Sequence, residues 1–158
     1  MELGSIAFIP DGNRRYARLN GIPLLQAYSM GTQKSWEVLD WLVKYPQIKV
    51  GTFYTLSAEN LTRNRLELKV LFKIFERELD KVKEKTVLEE NKIALKFVGR
   101  REMFPKSLRE KMDAAENYTA QFGTERTVNL ALGYNGQQEI VDAAKKFAQD
   151  YAQGKTTM

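Results

Sequence analysis

Four short apolar runs alternate with longer stretches whose apolar residues recur at helical spacing, and this alternation constrains the fold more than any other feature. Residues 5–9, 48–56, 93–98 and 127–132 read as strands. The first helical stretch runs from about Leu24 to Lys44, with Tyr28, Gly31, Val38, Leu39 and Leu42 on one face. A long helix follows from about Leu66 to Lys85. A third starts near Pro105 and turns Leu108, Met112 and Ala115 inward, and a fourth spans Gly136 to Ala152. Strands that alternate with helices predict an α/β fold, a parallel sheet with helices on both faces. The 158 residues suffice for one core, so the expectation is a single domain over 1–158. The chain stops after a helix, where such a fold would go on to another strand. Either the domain is complete with four strands, or the chain ends before the fold does.

Composition narrows the chemistry. The sequence has no cysteine and no histidine. A disulfide, a thiolate metal site, a cysteine nucleophile and a serine–histidine relay are all excluded. Chemistry must run on carboxylates, hydroxyls, amides, arginines and a metal. The net charge of +5 suits anionic substrates, nucleic acid or an anionic membrane face equally. No apolar run approaches the roughly 20 residues of a membrane span. The first residues carry no signal-sequence pattern, and a cytoplasmic location is expected.

Two segments at strand ends carry the candidate chemistry, and ligands of open parallel sheets bind beyond the carboxyl ends of the strands. The first is Asp11-Gly12-Asn13-Arg14-Arg15. Gly12 lets backbone N–H groups approach a phosphate, and Arg14 and Arg15 can grip its oxygens in bidentate fashion. Asp11 would repel a bare diphosphate, so it suggests a bridging Mg²⁺. A tight Asp-Gly turn with solvated arginines is the alternative. The second is Leu56-Ser57-Ala58-Glu59-Asn60-Leu61-Thr62-Arg63-Asn64, which offers a hydroxyl, a carboxylate, an amide and a guanidinium. Its alternative is a loop in which Thr62 or Asn64 caps the next helix.

The long helix carries Leu68, Leu71, Phe72, Phe75, Leu79 and Val82 on one stripe, widened by Leu66, Val70 and Ile74. A helix covering a sheet needs only about a 100° stripe. The surplus could line an apolar cavity or a subunit interface, while core packing accounts for most of it. In Asn129 to Glu139, Asn135-Gly136 reads as a turn supplying positive φ. Asn129, inside a buried strand, needs a partner and is expected to support the loops of the site.

Together these segments resemble the cis-prenyltransferases, the undecaprenyl diphosphate synthase family, and its archaeal branch in particular. Asp11-Gly12-Asn13-Arg14-Arg15-Tyr16-Ala17 follows the family's Asp-Gly-Asn-x-Arg-aromatic-Ala pattern. Ser57-Ala58-Glu59-Asn60-Leu61-Thr62-Arg63 follows its Ser-x-Glu-Asn-aromatic-x-Arg pattern, and Asn129 to Gly136 its Asn-x-Ala-x-x-Tyr-x-Gly turn. The resemblance implies elongation of an allylic prenyl diphosphate by isopentenyl diphosphate, to give a long polyprenyl diphosphate. It implies Mg²⁺ on Asp11, with Arg15 and Arg63 stabilising the leaving diphosphate. Asn13, Ser57 and Asn60 would orient groups or assist proton loss. Gly12, Arg14, Arg15, Tyr16, Tyr28, Glu59 and Arg63 would bind substrate. The growing chain would follow the long helix, with Phe72 and Phe75 setting its length. The family also implies a homodimer, peripheral membrane association through the product, and no nucleic-acid partner.

The chain departs from the family in several places. Its Gly-His-x-x-Gly appears as Ala27-Tyr28-Ser29-Met30-Gly31, and a basic residue found four positions earlier in some members is Leu24. The aromatic of the second motif is Leu61, Gly-Asp appears as Gly99-Arg100, and Gln137 stands where an arginine is common. The family continues past the last helix with an Arg-x-Ser pattern, further arginines for isopentenyl diphosphate and a glutamate that helps hold the metal. The chain is thus expected to be C-terminally incomplete. A non-catalytic subunit of a heteromeric enzyme, or a basic nucleic-acid-binding module, are the competing readings.

Overall fold

The computed structural model describes residues 3–157. Four strands form one parallel sheet: β1 (Ser5–Phe8), β2 (Val50–Ser57), β3 (Ile93–Val98) and β4 (Arg126–Tyr134). Their order across the sheet is β1-β2-β4-β3. Six α-helices connect or follow them: α1 (Asn13–Asn20), α2 (Leu24–Leu42), α3 (Arg65–Asp80), α4 (Thr86–Glu90), α5 (Lys106–Ala120) and α6 (Gly136–Ala152). The expected parallel α/β sheet is present, and every strand pairing is parallel.

The core lies between the sheet and α2, α3 and α5. Phe53 of β2, Val128 and Leu132 of β4 and Leu95 of β3 meet Leu39, Leu71, Ile74 and Met112 from those helices. The edge strand β1 alternates along its length, and β3 does so from Leu95 onward. Ser5 and Ala7 of β1, and Lys96 and Val98 of β3, are exposed, while their neighbours point toward the helices. The α6 helix buries none of its residues. On the β3 edge, α5 satisfies the strand's outward amides. The buried Thr119 hydroxyl accepts from the Leu95 N–H at 3.0 Å, and Glu116 accepts from the Phe97 N–H at 2.6 Å. Side chains from a covering helix thus occupy polar groups that an open edge would offer to another strand.

Several local expectations change. The long helix does not run to Lys85. It ends at Asp80, and the chain continues through a 3-10 turn, Val82–Glu84, into α4. Asn64 caps α3 by accepting from the Leu66 N–H at 2.8 Å, one of the two expected caps. Asn135-Gly136 does not supply positive φ. Asn135 is extended at φ −144° and caps α6 by accepting from the Gln138 N–H, while the left-handed residue of the turn is Gly133. Asn129 donates to the Thr52 hydroxyl at 3.2 Å, so it ties β4 to β2 within the sheet instead of supporting the loops.

Candidate active site

The site begins where β1 ends. After Phe8 the chain passes Pro10 and Asp11, and Gly12 takes φ 93° to turn it into α1. That left-handed conformation favours glycine, because a Cβ would clash with the backbone. The expected phosphate loop is therefore the start of a helix. Asn13, Arg14 and Arg15 form the first turn of α1, whose unpaired N–H groups and dipole favour an anion. One Asp11 oxygen accepts from the Gly12 N–H, and the other accepts from Arg15 Nη2 at 3.0 Å.

Asn13 is held by α2. A Cβ on Gly31 would lie 2.3 Å from Asn13 Oδ1, so the amide packs directly against the glycine backbone. The Gly31 position is thus set by close approach of α1 to α2, a constraint that helical periodicity alone does not reveal.

The second segment closes the site from β2. The register of β2 against β4 shifts after Tyr54 and again after Leu56, an irregularity that re-aims the last residues of the strand. Ser57 is buried, and its hydroxyl accepts from the Asn60 N–H at 3.2 Å. Asn60 Oδ1 accepts from Arg63 Nη2 at 2.7 Å. The other Arg63 nitrogen, Nη1, donates at 3.2 Å both to the Tyr28 hydroxyl and to Glu67 Oε1.

These residues line the mouth of one cavity of about 880 Å³. Asp11, Gly12, Asn13, Arg14, Arg15, Tyr28, Ser57, Asn60 and Arg63 all line it, so the structure brings nine of the predicted site residues together. Tyr16 and Glu59 are not among its walls. Tyr16 is exposed on α1, and Glu59 turns to the Asn135 amide. The Glu59 carboxyl is held below the usual range chiefly by a backbone N–H, then by the Ser57 hydroxyl and Asn135. Arg18 was not foreseen and also lines the cavity.

Behind the mouth the walls are largely apolar. Leu39 of α2, Leu71, Ile74 and Phe75 of α3, and Phe53 and Val128 of the sheet line it. Phe75 borders the cavity, whereas Phe72 is not among its walls and packs edge-on against Phe104 with ring centroids 5.8 Å apart. The far end is marked by Trp36, whose indole N–H donates to Glu78 at 3.2 Å while Lys85 sits over the ring. Trp36 lies about 12 Å further along α2 than Tyr28 at the standard helical rise.

A magnesium ion is usually held by one or two carboxylates plus substrate phosphates, not by a dedicated protein cage. Asp11 is the carboxylate at the mouth, with its side chain 80% exposed. Among the described residues no group of three or more His, Cys, Asp or Glu stands together. The donor set fits an ion bridged to substrate phosphates and does not fit a free-standing metal centre. No described helix is long and apolar enough to cross a membrane.

Comparison with known proteins agrees with this geometry. Residues 9–158 match the family described as "Putative undecaprenyl diphosphate synthase". The tritrans,polycis-undecaprenyl-diphosphate synthase (geranylgeranyl-diphosphate specific) of Pyrobaculum aerophilum is 40% identical over 89% of this chain and 59% of its own length. The protein of the same description from Thermoplasma volcanium is 39% identical over 95% of this chain and 57% of its own length. The chain therefore spans less than two thirds of these curated relatives. Among solved structures, lavandulyl diphosphate synthase from Lavandula x intermedia, in complex with dimethylallyl diphosphate, superposes with a TM-score of 0.81 at 25% identity. That match covers 97% of this chain and 64% of the other. A probable undecaprenyl diphosphate synthase from Campylobacter jejuni gives 0.75 at 26% identity, over 96% of this chain and 64% of the other. With its loop, its arginines and its cavity in one place and the match running almost end to end, the chain belongs to the undecaprenyl diphosphate synthase family.

Proposed function

We propose that this chain carries the allylic-substrate half of a cis-prenyltransferase site, which condenses isopentenyl diphosphate onto an allylic diphosphate to lengthen a polyprenyl diphosphate. The observation that carries this reading is a cavity of about 880 Å³ whose arginine-lined mouth opens directly into a largely apolar interior. That combination suits a ligand with a diphosphate head and a long hydrocarbon tail. The archaeal relatives are geranylgeranyl-diphosphate specific by name, which favours geranylgeranyl diphosphate as the primer.

In the reaction, the allylic C–O bond breaks and diphosphate leaves with the electron pair. The isopentenyl double bond forms the new C–C bond, and loss of a proton from the adjacent carbon restores an alkene. Arg15 and Arg63, with the first-turn amides of α1, are placed to stabilise charge on the departing diphosphate. Asn13, Ser57 and Asn60 orient the reacting groups or assist proton loss. Asp11 would hold Mg²⁺, which when bound neutralises charge on the leaving group. The apolar cavity excludes water from the cationic carbon and receives the tail. The product would draw the protein to a membrane surface without a spanning helix.

The test is Mg²⁺-dependent thermal protection by farnesyl diphosphate. Protection is expected in the unaltered chain and should vanish in Asp11→Ala. Where the complete active site turns over, the same substitution should lower the rate roughly a thousandfold or more. Equal protection with and without Asp11 would overturn the reading, as would tight, salt-sensitive DNA binding in its place.

A further inference from the structure

The chemistry above makes no use of the carboxylate that lies beneath the mouth. Glu67 stands in the first turn of α3 and is only 9% exposed. A buried carboxylate costs several kcal/mol unless it is paired and hydrogen-bonded. Three donors from three different parts of the chain meet it. The Tyr28 hydroxyl of α2 donates to Oε1 at 2.7 Å, Arg63 Nη1 donates to the same oxygen at 3.2 Å, and Arg14 Nε of α1 lies 3.7 Å away.

Two of these partners are guanidinium groups that line the cavity mouth. The geometry at Arg63 is the more restrictive. Its Nη1 donates to Glu67 and Tyr28 while its Nη2 donates to Asn60. A planar fork held through both terminal nitrogens has its plane fixed. At most three of its five N–H donors are used this way, which leaves at least two for an anion. Tyr28 completes the arrangement. It donates to the carboxylate and accepts from Arg63, and it stays protonated because burial first, and Glu67 second, push its pKa up to about 12.

We propose that Glu67 is the positioning residue of the anion site. It touches no substrate. From behind, it fixes the plane of Arg63 and draws Arg14 inward, so that both guanidinium groups meet a diphosphate already oriented, while Tyr28 holds the carboxylate in place. This role rests on reading the mouth as a diphosphate site. Preorganised charge of this kind spares the ligand the entropic cost of ordering two long side chains.

The experiment is a double-mutant cycle read by calorimetric titration with inorganic pyrophosphate. The four proteins are the unaltered chain, Glu67→Gln, Arg63→Ala and the double variant. Glu67→Gln keeps the shape and an acceptor but removes the charge. Alone it should weaken pyrophosphate about tenfold, as expected for one charge-assisted hydrogen bond. In the Arg63→Ala background the same change should cost only about twofold, because Glu67 acts mainly through Arg63. An equal loss in both backgrounds, unchanged binding or tighter binding would each overturn the role. So would a lowered melting temperature with unchanged affinity, the mark of a merely structural residue. If Glu67→Gln does not fold, Tyr28→Phe removes a donor from the same carboxylate. It should weaken pyrophosphate about threefold, and unchanged affinity there overturns the proposal. If the unaltered chain fails to bind pyrophosphate, the reading of the mouth falls and the role of Glu67 falls with it. If the unaltered chain binds, Arg63→Ala abolishes binding and Glu67→Gln does not weaken it, only the role of Glu67 falls.

Discussion

At the scale of single residues, the site is built from groups whose positions are set by neighbours in other elements. Tyr28 is the clearest case, since it stands where the family carries a histidine and is buried against Glu67 and Arg63. Burial, and then the hydrogen bond to Glu67, raise its pKa from 10.0 to about 12. The sign follows from linkage. Tyrosine is neutral when protonated, and the folded state holds that proton more tightly than the unfolded chain does. Its contribution to stability is therefore complete below about pH 10 and is lost as pH rises toward 12. Urea unfolding across that window should show the unaltered chain losing stability faster than Tyr28→Phe, with the two curves converging near pH 12. Parallel curves would mean that Tyr28 is not a buried donor to Glu67. Histidine would behave oppositely at this position, because burial disfavours its charged form and its change of charge would fall near neutral pH.

At the scale of elements, α3 separates two aromatic residues that share one stripe in the sequence. Phe75 borders the cavity, while Phe72 is turned to Phe104 and α5. The consequences of truncation should divide accordingly. Phe75→Ala should lengthen the products in a chain-length assay, because it widens the space that the tail enters. Phe72→Ala should leave product length unchanged and cost about 2–4 kcal/mol of stability, a loss of edge-on aromatic packing and apolar burial. A lengthened product from Phe72→Ala would place the tail on the wrong side of the helix. The stripe was legible because apolar spacing reports a helix face. Which part of it meets ligand depends on how α3 is rotated against α5, and the sequence has no signal for that. The third strand was legible to the residue, 93–98, because a short apolar run is bounded by polar turns. The α1 helix was not. It spans Asn13–Asn20, buries only Ala17, and starts at a glycine with no side-chain cap, so the usual markers of a helix start are missing. Glu67 was hidden for a similar reason. A glutamate in a helix reads as solvated, although its spacing of four residues from Arg63 was available as a sign of an ion pair.

At the scale of the whole molecule, the cavity is bounded by residues that also belong to the core, among them Leu39, Phe53, Leu71, Ile74 and Val128. It lies between α2, α3 and the sheet, and its mouth joins α1, α2 and the end of β2. A ligand with a charged head and a long tail would add contacts between elements that Asn13, Glu67 and Arg63 already join at the mouth. Its head would link the arginines of α1 with Arg63, and its tail would replace void with packed contacts along α3. Linkage gives the size of the effect. At about 100 times its dissociation constant, farnesyl diphosphate with Mg²⁺ should add about 2.7 kcal/mol. For a domain of this length that is a rise of about 5–11 °C in melting temperature. Pyrophosphate at the same concentration engages the mouth alone and should raise it less. Added salt should shrink the pyrophosphate shift more than the farnesyl diphosphate shift, because screening weakens charge pairs at the exposed mouth but not apolar burial in the cavity. Calorimetric melts of the chain with each ligand, at low and high salt, provide the check. Equal shifts from the two ligands would mean that the tail stays outside, and the space behind Arg63 would then need another occupant.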